Sequence, residues 1–248
     1  MVTVKNKFML VSWTQTYGYN RGELLGVYCR DRRLHEFKNL FDLNIYSFHN
    51  SSNELVRRFE RLNPVKNTEI QIKERVNWTQ TISDLKNYLK QIGATHFFYS
   101  LDDTFSNDNK DINWVEFIEY IKQFKSNFMI SLGTNQDLID FKVSPNESFN
   151  SFNVYHRTTK DFAEITDWPF DDTAYVCTTD LLDVLYDSIY MKMNNIWDAH
   201  EYNAQKFKKI VIPRYVTDNV LFKEYHLFGR AIGLKDEFRQ ELRNKKLL

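Results

Sequence analysis

Glycine and proline are scarce in this chain, seven and four among 248 residues, and no Ser/Gly-rich or Pro-rich tract marks a linker between domains. Cysteine is scarcer still. Cys29 and Cys177 lie far apart and fit no metal-ligand spacing, which reads as two free thiols in a reducing compartment rather than a disulfide framework. Neither sign of charge prevails, with 33 Lys plus Arg against 33 Asp plus Glu. That balance excludes a general pull toward nucleic-acid phosphates or anionic lipid, so any phosphate binding must be local. No window approaches the roughly 18 apolar residues of a membrane helix, and the opening MVTVKNKFMLVSW has too short an apolar run for a signal peptide. The expectation is a cytoplasmic protein with no transmembrane segment and no nucleic-acid partner. Gly-x-Ser-x-Gly, Gly-x-Gly-x-x-Gly and P-loop motifs are missing too, which removes the readiest hydrolase, dinucleotide and NTPase readings. His35, His49, His96, His156 and His200 form no i, i+4 pair and have no cysteine beside them, which argues against a structural zinc site.

What is present is apolar and aromatic. Hydrophobic residues make up 42% and Phe, Tyr and Trp 16%, against 27% charged, enough to bury a core along the whole length. One domain spanning 1–248 is expected. Phe8–Ser12 reads as a strand and Glu23–Phe41, apolar at helical spacing, as a helix. Leu43–Phe48 is a second strand, and Ser51 or Ser52 can cap a helix running to Leu62. Glu69–Lys73 alternates as a third strand, Thr79–Ile92 presents one apolar helical face, and Gly93 stands where a helix C-terminus favours it. His96–Leu101 has the continuous apolar run of a strand buried on both faces. Trp114–Phe124 and Phe128–Leu132 repeat the helix and strand. This alternation predicts an α/β fold with a Rossmann-like, mostly parallel central sheet flanked by helices. Beyond residue 135 the pattern loosens, with strands at Phe152–Arg157, Ala174–Cys177 and Ile210–Ile212 and helices near Leu181–Met193, Asp198–Phe207 and Lys235–Lys246. The division suggests a ligand-binding half, 1–135, and a mixed α+β half, 136–248, that shapes a pocket for a second ligand.

The strand His96–Leu101 runs straight into Asp102-Asp103. Ligands of open α/β sheets bind beyond the carboxyl ends of the strands, so two adjacent carboxylates stand where a site is expected. Adjacent aspartates repel unless solvated or shared with a cation, and hard Mg²⁺ or Mn²⁺ takes carboxylate, phosphate and water oxygens. The bland reading is that the pair opens a loop or caps a turn.

The segments Thr16-Tyr17-Gly18-Tyr19-Asn20-Arg21-Gly22-Glu23-Leu24-Leu25, Phe48-His49-Asn50-Ser51-Ser52-Asn53-Glu54, Thr79 to Gly93, and His96 to Thr104 together resemble a GT-A glycosyltransferase, family 2-like in its N-terminal half, over about residues 7–135. The resemblance implies a single GT-A-like domain that transfers a sugar from a nucleotide-diphosphate sugar to a carbohydrate or glycoprotein acceptor. It implies donor contacts from Thr14, Thr16, Tyr19, Asn20, Arg21, Asn50, Asp84 and Asp102, with Arg230 at the diphosphate. Mn²⁺ or Mg²⁺ would be held by Asp102 and Asp103, with His226 as a late ligand. Trp197 to Asn203 looks like the helix start that supplies the base, which nominates Glu201 with Asp198 in reserve; acidic residues at a helix N-terminus also serve its dipole alone. One departure stands out: Asp-Asp-Thr replaces the usual Asp-x-Asp, so Thr104 occupies the place of the second metal carboxylate. Two other readings remain open, a nucleotidyltransferase and a non-catalytic sugar-binding domain.

Overall fold

Leu10–Tyr17 (β1) sends alternate side chains to opposite faces, as a strand must, and both faces are covered. Val11 and Trp13 join one apolar cluster and Leu10 the other. The structure is a computed structural model that describes residues 7–17, 22–74, 78–102, 104–107, 112–133, 144–158, 174–193, 195–218 and 220–224, with 240, 243 and 244. After β1 come α1 (Gly22–Tyr28), α2 (Arg32–Lys38), β2 (Leu43–His49), α3 (Asn53–Leu62), β3 (Thr68–Lys73), α4 (Trp78–Gln91) and β4 (His96–Leu101). The chain continues through β5 (Thr104–Ser106), α5 (Trp114–Ile121), β6 (Met129–Ser131), β7 (Glu147–Ser148), β8 (Asn153–Thr158) and β9 (Tyr175–Thr178). Then follow α6 (Leu181–Leu185), a 3₁₀ turn at Tyr190–Lys192, α7 (Ile196–Phe207), β10 (Pro213–Thr217) and β11 (Phe222–Glu224).

Nine strands form one sheet in the order β3-β2-β1-β4-β9-β6-β10-β8-β7. β9 and β8 run against the others, so the sheet is mostly parallel, and β9, β10 and β8 carry it from the first half of the chain into the second. This is the α/β arrangement expected. α1, α2, α3 and α5 cover one face with a cluster that includes Phe37, Phe59, Phe98 and Phe117. α4, α6 and the end of α7 cover the other through Leu85, Leu89, Leu182 and Phe207. Aromatic contacts tie the first cluster to remote segments: Phe37 lies 4.4 Å from Trp114, which stacks on Phe222 at 5.6 Å. Such pairs contribute about 0.5–1.5 kcal/mol each beyond the area they bury. No helix among the described residues is long and apolar enough to cross a membrane, and both cysteines are free thiols.

Several elements depart from the sequence reading. The helix expected over Glu23–Phe41 is two helices, because Asp31 leaves helical geometry and accepts the Leu34 N–H as the N-cap of α2. Leu181–Met193 ends as an α-helix at Leu185 and resumes only as a short 3₁₀ turn. Ile210–Ile212 is not a strand; the strand begins at Pro213, a residue tolerated at a strand's first position. Lys235–Lys246 lies almost entirely outside the described residues.

Candidate functional site

The parallel strands β1, β2, β3 and β4 end along one edge of the sheet, and the polar residues gather there. Thr14, Thr16 and Asp102 are all buried, at 1%, 1% and 2% exposure. The Asp102 N–H donates to the Gln15 carbonyl at 3.1 Å, extending the β1–β4 ladder past the last strand residue. Beneath this edge Thr14 Oγ1 and Ser100 Oγ share a hydrogen bond of 3.0 Å, and the Lys38 ammonium donates to Thr14 and to the Tyr28 hydroxyl. Lys38 is wholly buried, with Nζ 4.8 Å from the Tyr46 ring centre and 5.3 Å from that of Tyr28. Burial holds its pKa well below the ordinary lysine value, because a low-dielectric site disfavours the charged form.

The turn carrying Asp102 is held from both sides. Before it stands the β1 ladder. After it, Leu101 N–H donates to Thr104 Oγ1 at 3.1 Å, and the Asp31 carboxylate accepts Ser106 N–H and Ser106 Oγ–H, each at 2.6 Å. β5 then pairs antiparallel with β11, placing Glu224 opposite Thr104 and Phe222 opposite Ser106. A segment more than a hundred positions away in sequence is thereby brought beside the acidic turn. Asp103 itself lies outside the described residues, as do Tyr19, Asn20, Arg21, His226 and Arg230.

A second group forms where β2 and β3 end. Asn50 takes a positive φ of 50°, which asparagine tolerates better than most residues, and its N–H donates to the Lys73 carbonyl at 3.0 Å. Lys73 Nζ pairs with Asp84 at 2.7 Å, and Gln80 donates to the same carboxylate at 2.8 Å. The Lys73 bond is the main reason the Asp84 pKa is lowered. His49, buried at the end of β2, lies with Nε2 2.8 Å from Ser47 Oγ, and burial first, then the Lys73 charge, pushes its pKa down to about 4. Asn50 and Asp84 thus converge on Lys73, while Thr14, Thr16 and Asp102 line the neighbouring strand ends.

Asp198 and Glu201 are both exposed near the start of α7, where Asn195 Nδ2 donates to Asp198 Oδ1 at 3.4 Å. Their spacing puts them on one helical face. Among the described residues no hydrogen bond or ion pair joins either to the β1–β4 edge. Among the described residues, too, no group of three His, Cys, Asp or Glu is placed to hold a metal ion; Asp102 is the member of the expected set that falls within them.

Sequence reasoning missed Asp31, Lys38, His49 and Lys73. Two of these left a trace. Lys38 interrupts the apolar stripe of Leu34, Phe37 and Phe41, and Asp31 precedes Leu34 at capping distance. His49 and Lys73 left none, because only the β2–β3 register brings them together.

No protein-family model matches the chain, and no curated protein does. Solved structures with a partly similar fold include HddC from Yersinia pseudotuberculosis, 12% identical with a TM-score of 0.46 over 96% of this chain and 100% of that one. Another is 4-diphosphocytidyl-2C-methyl-D-erythritol synthase from Anaerococcus prevotii, 9% identical with a TM-score of 0.47 over 98% of each. A third is a UTP-bound UGPase from Acinetobacter baumannii, 10% identical with a TM-score of 0.46 over 84% of this chain and 86% of that one.

Proposed function

We propose that the chain is a transferase acting on a nucleotide-diphosphate sugar, and that it moves the sugar to a carbohydrate or glycoprotein acceptor. The observation that carries this reading is a buried carboxylate, Asp102, delivered at the carboxyl end of a central strand by a turn that β1, Asp31 and β11 hold in place. Ligands bind at such strand ends, and a carboxylate held there meets a diphosphate through a shared cation. Mn²⁺ or Mg²⁺ would be held by Asp102 with Asp103 and by His226, and would offset the charge of the departing diphosphate. Pairing of Glu224 with Thr104 supports the last ligand, since it brings the chain just before Tyr225 and His226 to the acidic turn. Arg230 would serve the diphosphate as a forked donor. Thr14 and Thr16 at the end of β1, with Tyr19, Asn20 and Arg21, which follow in sequence, would contact the donor, and Asn50 and Asp84 would serve the nucleoside beside Lys73. Glu201, with Asp198 in reserve, would deprotonate the acceptor hydroxyl as a positioned carboxylate.

Nucleotidyl transfer is the second reading, because a carboxylate and a hard cation at this edge would serve attack on a nucleoside triphosphate equally well. The two differ in the bond that breaks. Calorimetry with a panel of nucleotide sugars and nucleoside triphosphates plus Mn²⁺, followed by product detection, separates them: glycosyl transfer releases a nucleoside diphosphate and nucleotidyl transfer releases pyrophosphate. With the substrate so found, Asp102→Asn is expected to lower kcat/KM by on the order of 100-fold while the circular dichroism spectrum stays unchanged. Unchanged turnover in that variant removes the site.

A further inference from the structure

We infer that the chain forms a two-fold homodimer by antiparallel pairing of its edge strand, β3, with β3 of a second copy. β3 is the last strand on one side of the nine-stranded sheet. In a parallel ladder successive residues turn their N–H and C=O groups alternately toward and away from the neighbouring strand. Asn44 N–H donates to the Asn67 carbonyl and Asn50 N–H to the Lys73 carbonyl, so Asn67, Glu69, Gln71 and Lys73 face β2. Thr68, Ile70 and Ile72 therefore turn their backbone groups outward, where nothing among the described residues pairs with them. Native edge strands are usually blunted by proline, a bulge or charged side chains, lysine above all; the charges on β3, Glu69 and Lys73, are of opposite sign. Thr68–Lys73 has no proline, and its six residues pair with β2 in unbroken register.

The sequence of this edge is complementary to itself. With the two-fold axis at Gln71, Ile70 faces Ile72 of the second copy and Glu69 faces its Lys73. Ile70 and Ile72 are the residues whose backbone groups point outward, so they form the hydrogen-bonded pairs, giving about four main-chain bonds across the axis. Glu69 and Lys73 fall at non-hydrogen-bonded positions, where facing side chains approach more closely. Both charges lie on the α4 side of the sheet, where Glu69 meets Tyr88 and Lys73 meets Asp84. On the other side Ile72 is 56% exposed while Ile70 packs on the core, and the pairing covers Ile72 with an isoleucine. A one-residue slip would set like backbone groups out of phase and lose both matches. Stable homodimers commonly bury about 1,600 Å² or more, so the contact must extend from β3 onto the flanking α3 and α4.

Analytical ultracentrifugation of the full chain tests this. The expected mass is twice 29.9 kDa. Ile72→Pro removes an outward N–H and leaves the β2 ladder intact, and Ile72→Lys puts a charge against Ile70 of the second copy. Each is expected to raise the dimer dissociation constant at least about tenfold with unchanged circular dichroism; if the proline variant loses fold, the lysine variant decides. A wild-type chain that stays monomeric up to its solubility limit overturns the inference. So does a dimer that survives the folded variant unchanged.

Discussion

Asp31 is 1% exposed and accepts three hydrogen bonds, from Leu34 N–H, Ser106 N–H and Ser106 Oγ–H. One carboxylate therefore starts α2 and fastens the strand that follows the acidic turn. Truncation removes a helix cap, worth about 1 kcal/mol, and leaves a buried amide and hydroxyl without their acceptor, at about 1–3 kcal/mol for each unsatisfied group. Asp31→Ala is accordingly expected to lower the unfolding free energy by at least about 3 kcal/mol in urea titrations, with Asp31→Asn milder because one acceptor oxygen remains. A loss below about 0.5 kcal/mol would show that the three bonds do not form together. Residues differ in how openly the sequence displays such roles. Asp102 is visible because an apolar run leads straight to it. Asp31 shows half its role: its distance to Leu34 marks a cap, but Ser106 is far off in sequence and only the return of the chain through β5 joins them. Lys38 is half-visible: a lysine on an apolar stripe looks like a surface residue until Thr14, Tyr28 and Tyr46 close over it.

Helices and strands were legible where one apolar period persisted. α3 starts after its Ser52 cap, whose side chain accepts from Leu55 N–H, and β4 occupies the expected His96–Leu101. Legibility failed where a local rule was overridden. Glu23–Phe41 keeps helical spacing through Asp31, so periodicity joins what the cap divides. β10 hides a buried arginine, Arg214, whose Nη2 donates to Ser131 Oγ at 2.8 Å, and a charged residue at a core position masks the strand pattern. β5 and β11 are three residues each, too short for any period to show. The close of α4 is the opposite case. Gly93 has φ of +71°, and a Cβ added there meets nothing within 4 Å, so its requirement is purely conformational. Gly93→Ala should cost about 1 kcal/mol in chemical denaturation through backbone strain alone. Gly93→Asn should cost less, since asparagine enters the left-handed region more readily; equal losses would point to a steric cause instead.

The order of the strands in the whole molecule is the least local property, and the antiparallel β9 between β4 and β6 could not be read from any window. The same sheet determines how the protein responds to acid. His35, His49 and His96 sit on three different elements, and burial is the first cause lowering each pKa to about 4 from an ordinary 6.5. The unfolded chain binds protons at these positions below 6.5 and the folded chain does not until about 4, so their stability contribution is full above pH 6.5 and is lost as pH falls toward 4. The carboxylates act lower. Asp187, held by the Tyr190 N–H, Lys206 and Tyr202 against its own desolvation, has its pKa lowered to about 2 from 3.8, so its contribution survives until pH drops below 3.8. Thermal midpoints should therefore decline in two stages, the first driven by histidine alone. His96 separates this from any effect of the candidate site, because it opens β4 at the opposite end from Asp102 and packs on Phe8 at 4.9 Å. His96→Gln is expected to lower the midpoint at neutral pH while flattening its slope between pH 6.5 and 4. An unchanged slope would mean that the buried imidazole accepts its proton in the folded chain as readily as in the unfolded one.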